Sequence, residues 1–205
     1  MFSNILIGIS YALSAGLQPG PLQAFFLAKV AKNGWKETLP AAFAPLLSDG
    51  PIALISIFFI NKLPDLIQDW LGLGGGVLLL YFAGTAFRSW LRDDITEPDP
   101  SESPPRTIYH AALINLLNPN PYLGWSLVMG PAVVAAWEQG PGQALALLLA
   151  FYITMISTSM ALIYLMGRAM LIKPGARKMM SLIAAVLLAG LGLYFLYRAG
   201  IQLLD

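Results

Sequence analysis

The sequence contains no cysteine, a single histidine, and charged residues at only 11% of its positions. Without cysteine there are no disulfides, thiol nucleophiles or thiolate metal sites. With His110 as the lone imidazole, a tight transition-metal site, which gathers several nitrogen, sulfur or carboxylate ligands, has too few donors. A soluble domain carries roughly 25% charged residues. That deficit, with 57% hydrophobic residues and a mean hydropathy of +0.67, reads as a polytopic membrane protein in contact with a lipid bilayer. A net charge of +1 gives no reason to expect a nucleic-acid partner, and no cofactor is implied. Met1 to Ser14 has no basic residue ahead of its apolar run. That argues against a cleaved signal and for a first span that stays in place.

What is abundant is apolar sequence in long runs. A membrane-crossing helix needs about 20 mainly apolar residues. Six such spans are expected, over residues 4–30, 38–60, 70–91, 108–137, 143–166 and 179–204. Ten of the twelve Lys and Arg fall in alternate connections: Lys29, Lys32 and Lys36; Arg88, Arg92 and Arg106; Arg168, Lys173, Arg177 and Lys178. Lys62 and Arg198 are the remaining two. Positive charge marks the cytoplasmic side, so both termini are expected outside. Residues 92–107 are acidic and Pro-rich, and read as a cytosolic linker between halves 1–91 and 108–205.

Two of the spans are interrupted. Gln18-Pro19-Gly20-Pro21 and Asn118-Pro119-Asn120-Pro121 each lie within an apolar run. Proline has no N–H, so the carbonyls of Ala15, Leu17, Asn115 and Leu117 lose their usual helical partners. In hydrocarbon such a break is tolerated only when packed in protein or lining a wet cavity. LQPGPLQAFF (17–26) and LNPNPYLGW (117–125) sit at an offset of 100. Three spans per half is an odd number, so the second half enters the membrane from the opposite side. The expected fold is therefore all-α: a six-span bundle of two inverted three-helix repeats with helices 1 and 4 broken.

Asp49 is the one charged residue expected near the middle of a span. An acid there is costly and marks a functional candidate. A low-dielectric surrounding favours the neutral carboxyl, so such a group can exchange a proton or pair with a substrate ammonium. The alternative is that a protonated Asp49 bonds a carbonyl freed by Pro45 or Pro51. Past each break a half-helix is expected to restart near Leu22 or Tyr122, with free N–H groups suited to a carboxylate. A simple proline kink is the competing reading. Gln18, Gln23, Asn115, Asn118 and Asn120 flank the breaks. They serve either as ligand contacts or as interhelical hydrogen bonds. Ser157, Thr158 and Ser159 either face Asp49 or bond within their own helix. His110 reads as a packing or surface residue near a span end, with a proton relay as the alternative. Gly72 and Gly76 form a GxxxG suited to close helix packing and permit a homodimer. Trp35, Trp70, Trp90 and Trp137 read as interfacial anchors. Trp125 either covers the second break or packs in the core.

Several of these stretches together resemble the LysE/RhtB superfamily of small amino-acid exporters. They are Pro19-Gly20-Pro21, Gly34-Trp35 followed by the segment Leu46 to Ile52 that holds Asp49, Gly74 to Gly84 followed by Phe87-Arg88, and Asn115-Leu116-Leu117-Asn118-Pro119. The stretch Ala42 to Ser48 lacks the glycines usual before the aspartate, which marks a divergent branch. The resemblance implies an inner-membrane exporter of amino acids or related small solutes, driven by a proton or other ion gradient, and not an enzyme. On the residues themselves, a substrate site is expected from Gln18, Pro19, Gly20, Pro21, Gln23, Asp49, Asn115, Asn118, Pro119, Asn120 and Pro121, with Asp49 coupling protons. Three other readings remain open. A non-transporting assembly or lipid-interacting protein would have no reason to place an acid and two matching breaks at the midplane. A metal or other cation exporter would need more buried ligands. An intramembrane enzyme would need a second catalytic group beside Asp49.

Overall fold

The computed structural model describes residues 1–58, 65–91, 104–171 and 175–204. Among them every regular element is helical and none is a strand. The elements run α1 (Phe2–Leu17), α2 (Pro21–Asn33), α3 (Trp35–Thr38), a 3-10 turn (Leu39–Phe43) and α4 (Ala44–Phe58). They continue with α5 (Asp65–Leu91), α6 (Pro104–Leu116), α7 (Pro119–Gly124), a π-helical turn (Trp125–Met129), α8 (Gly130–Glu138), α9 (Pro141–Leu171) and α10 (Ala176–Leu204). Most of the expected linker, 92–103, lies outside the described residues, and α6 begins four residues before the span expected at 108.

Among the described residues four stretches are long and apolar enough to cross a membrane: Trp35–Ser56, Asp69–Leu91, Pro141–Leu171 and Lys178–Gln202. The other two expected spans are each divided, because their prolines sit where helices start. Pro21 and Pro119 occupy the first positions of α2 and α7, where a missing N–H costs nothing. The second half-helix thus restarts at Pro119 rather than near Tyr122. Pro40 falls in the 3-10 turn, and Pro51 is carried inside α4.

Small residues decide which helices meet. Asn4, Gly8, Ala12 and Gly16 recur every fourth residue and form the buried stripe of α1. That stripe packs on α9, where a Cβ at Gly8 would lie 2.5 Å from the Leu147 carbonyl oxygen. Asn4 ties the far end by donating to Gln139 and Gln143, each at 3.2 Å. The GxxxG face of α5 is taken up within the chain by α10. A Cβ at Gly76 would come within 2.7 Å of Leu196, and one at Gly72 within 3.3 Å of Ala199. α6 packs on α4 and the 3-10 turn, and α2 packs on α10.

Two apolar cores result. One gathers Phe25, Phe26, Leu79, Phe82, Ile163 and Leu188, and the other Ile52, Trp125, Met129, Leu147 and Phe151. Lys29, expected among the connecting charges, is buried in the first, with its ammonium 5.6 Å from the Phe25 ring and 5.9 Å from Phe82. His110 packs edge-on against Phe82 at 5.3 Å. Meanwhile Leu145, Leu149, Ile153 and Leu165 of α9 point outward. An outer surface this apolar suits lipid rather than water.

The close α1–α9 contact yields a test. Gly8→Val forces a branched side chain against the Leu147 carbonyl, and overpacking of this kind costs about 1–3 kcal/mol. The thermal unfolding midpoint of the purified protein in detergent should fall. An unchanged midpoint would show that the two helices do not meet at Gly8.

Candidate functional site

Both breaks open onto one cavity of about 110 Å³. At about 10–15 Å³ for each water position, it has room for several waters or one small solute. From α1, the first break and α2 its wall takes Tyr11, Ala15, Gln18, Pro19, Gly20, Pro21, Leu22 and Gln23. α4 gives Pro45 and Asp49, and the second half of the chain gives Asn115, Asn118, Asn120, Pro121, Trp125, Phe151, Met155 and Ser159. Ten of the eleven residues expected at the site from sequence therefore share one wall. Pro119 does not. It lines a neighbouring cavity.

Asp49 is only 4% exposed. Pro45 and Asp49 are one turn apart on α4 and so share a face. Asn115 donates to Asp49 Oδ1 at 3.1 Å and to Ser48 Oγ at 2.8 Å. Ser48 in turn donates to the Ala44 carbonyl at 3.1 Å. The Trp125 indole also faces the carboxyl. Asp49 is thus held by an amide from the other half of the chain, with the Trp125 indole beside it. Trp125 reaches it from the π-helical turn, an irregularity common at functional sites.

One carbonyl at each break is met by a side chain that reaches back across it. Gln23 donates to the Gly16 carbonyl at 3.0 Å, and Tyr122 donates to the Leu116 carbonyl at 2.9 Å. Those two carbonyls sit at the same offset of 100 as the motifs. One Gln23 amide N–H is thereby engaged by the backbone, while the side chain lines the cavity. Asn118 caps α7 by accepting from the Asn120 N–H at 3.1 Å. α2 has no side-chain cap, since Gly20 precedes it in an extended conformation. Of the two half-helix N-termini, the one after Pro21 is the more open to an anion. Ser159 lines the cavity, whereas Thr158 packs its methyl group toward Gly16.

Trp125, expected either to cover the second break or to pack in the core, lines the cavity. Tyr11 and Phe151, which the sequence did not single out, join it. Tyr11 stacks on Phe151 with ring centroids 5.9 Å apart, and Trp125 meets Phe151 edge-on at the same distance. Tyr11, Ala15 and Gln18 follow helical spacing along one face of α1, as Phe151, Met155 and Ser159 do along α9. Extending the polar positions by one or two turns would have found them. Gly124 adjoins Tyr11 so closely that a Cβ there would overlap the phenol oxygen. Among the described residues no three His, Cys, Asp or Glu side chains gather as they would around a metal ion.

Removing a side chain that reaches back across a break leaves a carbonyl unpaired, at a cost of about 1–3 kcal/mol. Gln23→Leu should therefore lower the thermal midpoint in detergent, and Tyr122→Phe should do the same. Midpoints equal to wild type for both would mean that the freed carbonyls are satisfied some other way.

Comparison with known proteins bears on the whole chain. No curated protein and no solved structure that was compared matches it. A family model does, that of the LysE type translocator, over residues 13–199. The match takes in both breaks, Asp49 and every cavity-lining residue except Tyr11. The chain belongs to the LysE type translocator family, membrane transporters that export amino acids or related compounds.

Proposed function

We propose that the chain is a six-span secondary exporter of small zwitterionic or cationic amino compounds, coupled to the proton gradient across a bacterial inner membrane. Its carrying observation is the single cavity that joins both breaks to Asp49. The packing supports inverted repeats 1–91 and 108–205. α1 lies on α9 as α6 lies on α4, and α5 and α10 lie on each other. Exchanging the halves maps the first two of these contacts onto each other and the third onto itself. The divided helices α1–α2 and α6–α8 each complete one crossing in this scheme. The bias of Lys and Arg puts both termini outside.

The substrate carboxylate meets the uncapped N-terminus of α2, beside Gly20. Its ammonium meets Asp49. Asn115 donates to both Ser48 and Asp49 and so fixes the position of the acid. When the substrate leaves, Asp49 takes a proton, because an empty buried charge is costlier than a neutral acid. Proton and substrate thus occupy Asp49 alternately, and exchange of one for the other couples their movements. Gln18 and Asn120 orient the ligand. Tyr11, Trp125 and Phe151 present an apolar surface to the substrate side chain. Rocking of one repeat against the other opens the cavity to each side. The α5 GxxxG face is occupied by α10, so a homodimer would form through another surface.

Proteoliposomes with an imposed pH gradient, screened with radiolabelled amino acids, identify the substrate and test the coupling. Asp49→Asn should reduce gradient-driven flux to the level of empty liposomes. Gradient-driven flux unchanged in Asp49→Asn would remove the coupling role.

A further inference from the structure

A second cavity, of about 200 Å³, lies on the other side of the breaks. It shares Pro19, Gly20, Pro21 and Asn120 with the first, so the interrupted backbone forms the partition between them. Its far wall comes from α5 and α10. Gly72 lets Ala199 approach closely, and this contact places Asp69, one turn from Gly72, beside Arg198 and Gln202, which flank Ala199. All three line the cavity.

Asp69 is the unexplained group. It is 4% exposed, as buried as Asp49, and among the described residues no hydrogen bond or ion pair reaches its carboxylate. Burying a charge without a partner is costly. Asp49 has Asn115, Ser48 and Trp125 around it, whereas Asp69 has an opening. Arg198 lines the same opening without bonding to it. An acid and a guanidinium that share a cavity but not a hydrogen bond leave room for a ligand with both charges.

We propose that this second cavity is a separate binding site for a zwitterionic amino compound, with Asp69 meeting its ammonium and Arg198 its carboxylate. The proposal rests on the transport reading above and extends it. Asp69 begins the third span and Arg198 lies near the end of the sixth, both at the side assigned as outer. The site is then the exit vestibule. A solute leaving Asp49 crosses the partition at Pro19 to Pro21 and is held by a second pair of charges before release.

The absence of cysteine gives a clean test. Gln202→Cys places a lone thiol in the wall of the second cavity. Its labelling in reconstituted protein is followed with a cationic and an anionic methanethiosulfonate reagent, with and without glycine, L-serine, L-leucine, L-lysine or L-glutamate. Adding Asp69→Asn should lower the ratio of cationic to anionic labelling several-fold, and adding Arg198→Gln should raise it. Asp69→Glu should keep the ratio near that of Gln202→Cys alone, which separates charge from misfolding. At least one amino acid should slow labelling. That protection should vanish in Asp69→Asn and persist in Asp49→Asn. A ratio indifferent to both Asp69→Asn and Arg198→Gln overturns the proposal, and so does an absence of protection by every amino acid. Protection lost equally in Asp49→Asn also overturns it, because one continuous site would explain it. The charge ratio needs no transport, so it stays readable if the coupling reading fails.

Discussion

A proline within a membrane helix leaves a carbonyl without its donor, and hydrocarbon offers no replacement. Much of this molecule is arranged around that constraint. Gln23 and Tyr122 reach back over the two breaks to carbonyls that the helices no longer serve. Asn118 caps the helix that follows the second break. Gly75 lets α5 back the second break, for a Cβ there would lie 2.5 Å from the Leu117 carbonyl oxygen. With the broken backbone held in this way, its remaining free groups are available to a ligand. The open N-terminus of α2 is the clearest of them.

The same economy governs the acid. A carboxyl at the centre of a bundle is tolerable only if its surroundings can serve more than one state. Asn115 bridges Ser48 and Asp49, so the carboxyl keeps a donor whatever else is bound. On the proposed reading this lets a proton and an ammonium group exchange at one position without either leaving a bare charge. The donors come from the half of the chain that does not carry Asp49. Movement between the halves would then change the acid's surroundings directly.

Much of this was legible in sequence because it follows from local rules. Two prolines two residues apart in an apolar run announce a break, and an aspartate in another run announces a cost. The sharing of one cavity by Gln18, Gly20, Asp49, Asn115 and Asn120 followed from placing both at similar depth. Other features depend on partners distant in the chain. Gln23 read as either a ligand contact or a hydrogen bond within the bundle. Its amide N–H serves Gly16 while its side chain lines the cavity, an arrangement set by the shape of the break. Tyr11 and Phe151 stack across the α1–α9 interface, and helical spacing gives a residue's face without naming the helix opposite. Lys29 read as a connecting charge because its position lay near a span end. Its aliphatic stem and the rings of Phe25 and Phe82 accommodate it inside. The GxxxG of α5 correctly signalled close packing, but its partner, α10, lies more than a hundred residues away.

The central claim is that the two breaks and Asp49 together bind the exported solute. A cryo-EM structure of the protein with its identified substrate bound tests this most directly. The account predicts ligand density between Gly20 and Asn115, with the amino group against the Asp49 carboxylate and the carboxylate at the start of α2. Density elsewhere in the bundle, with Asp49 still held only by Asn115, Ser48 and Trp125, would contradict it.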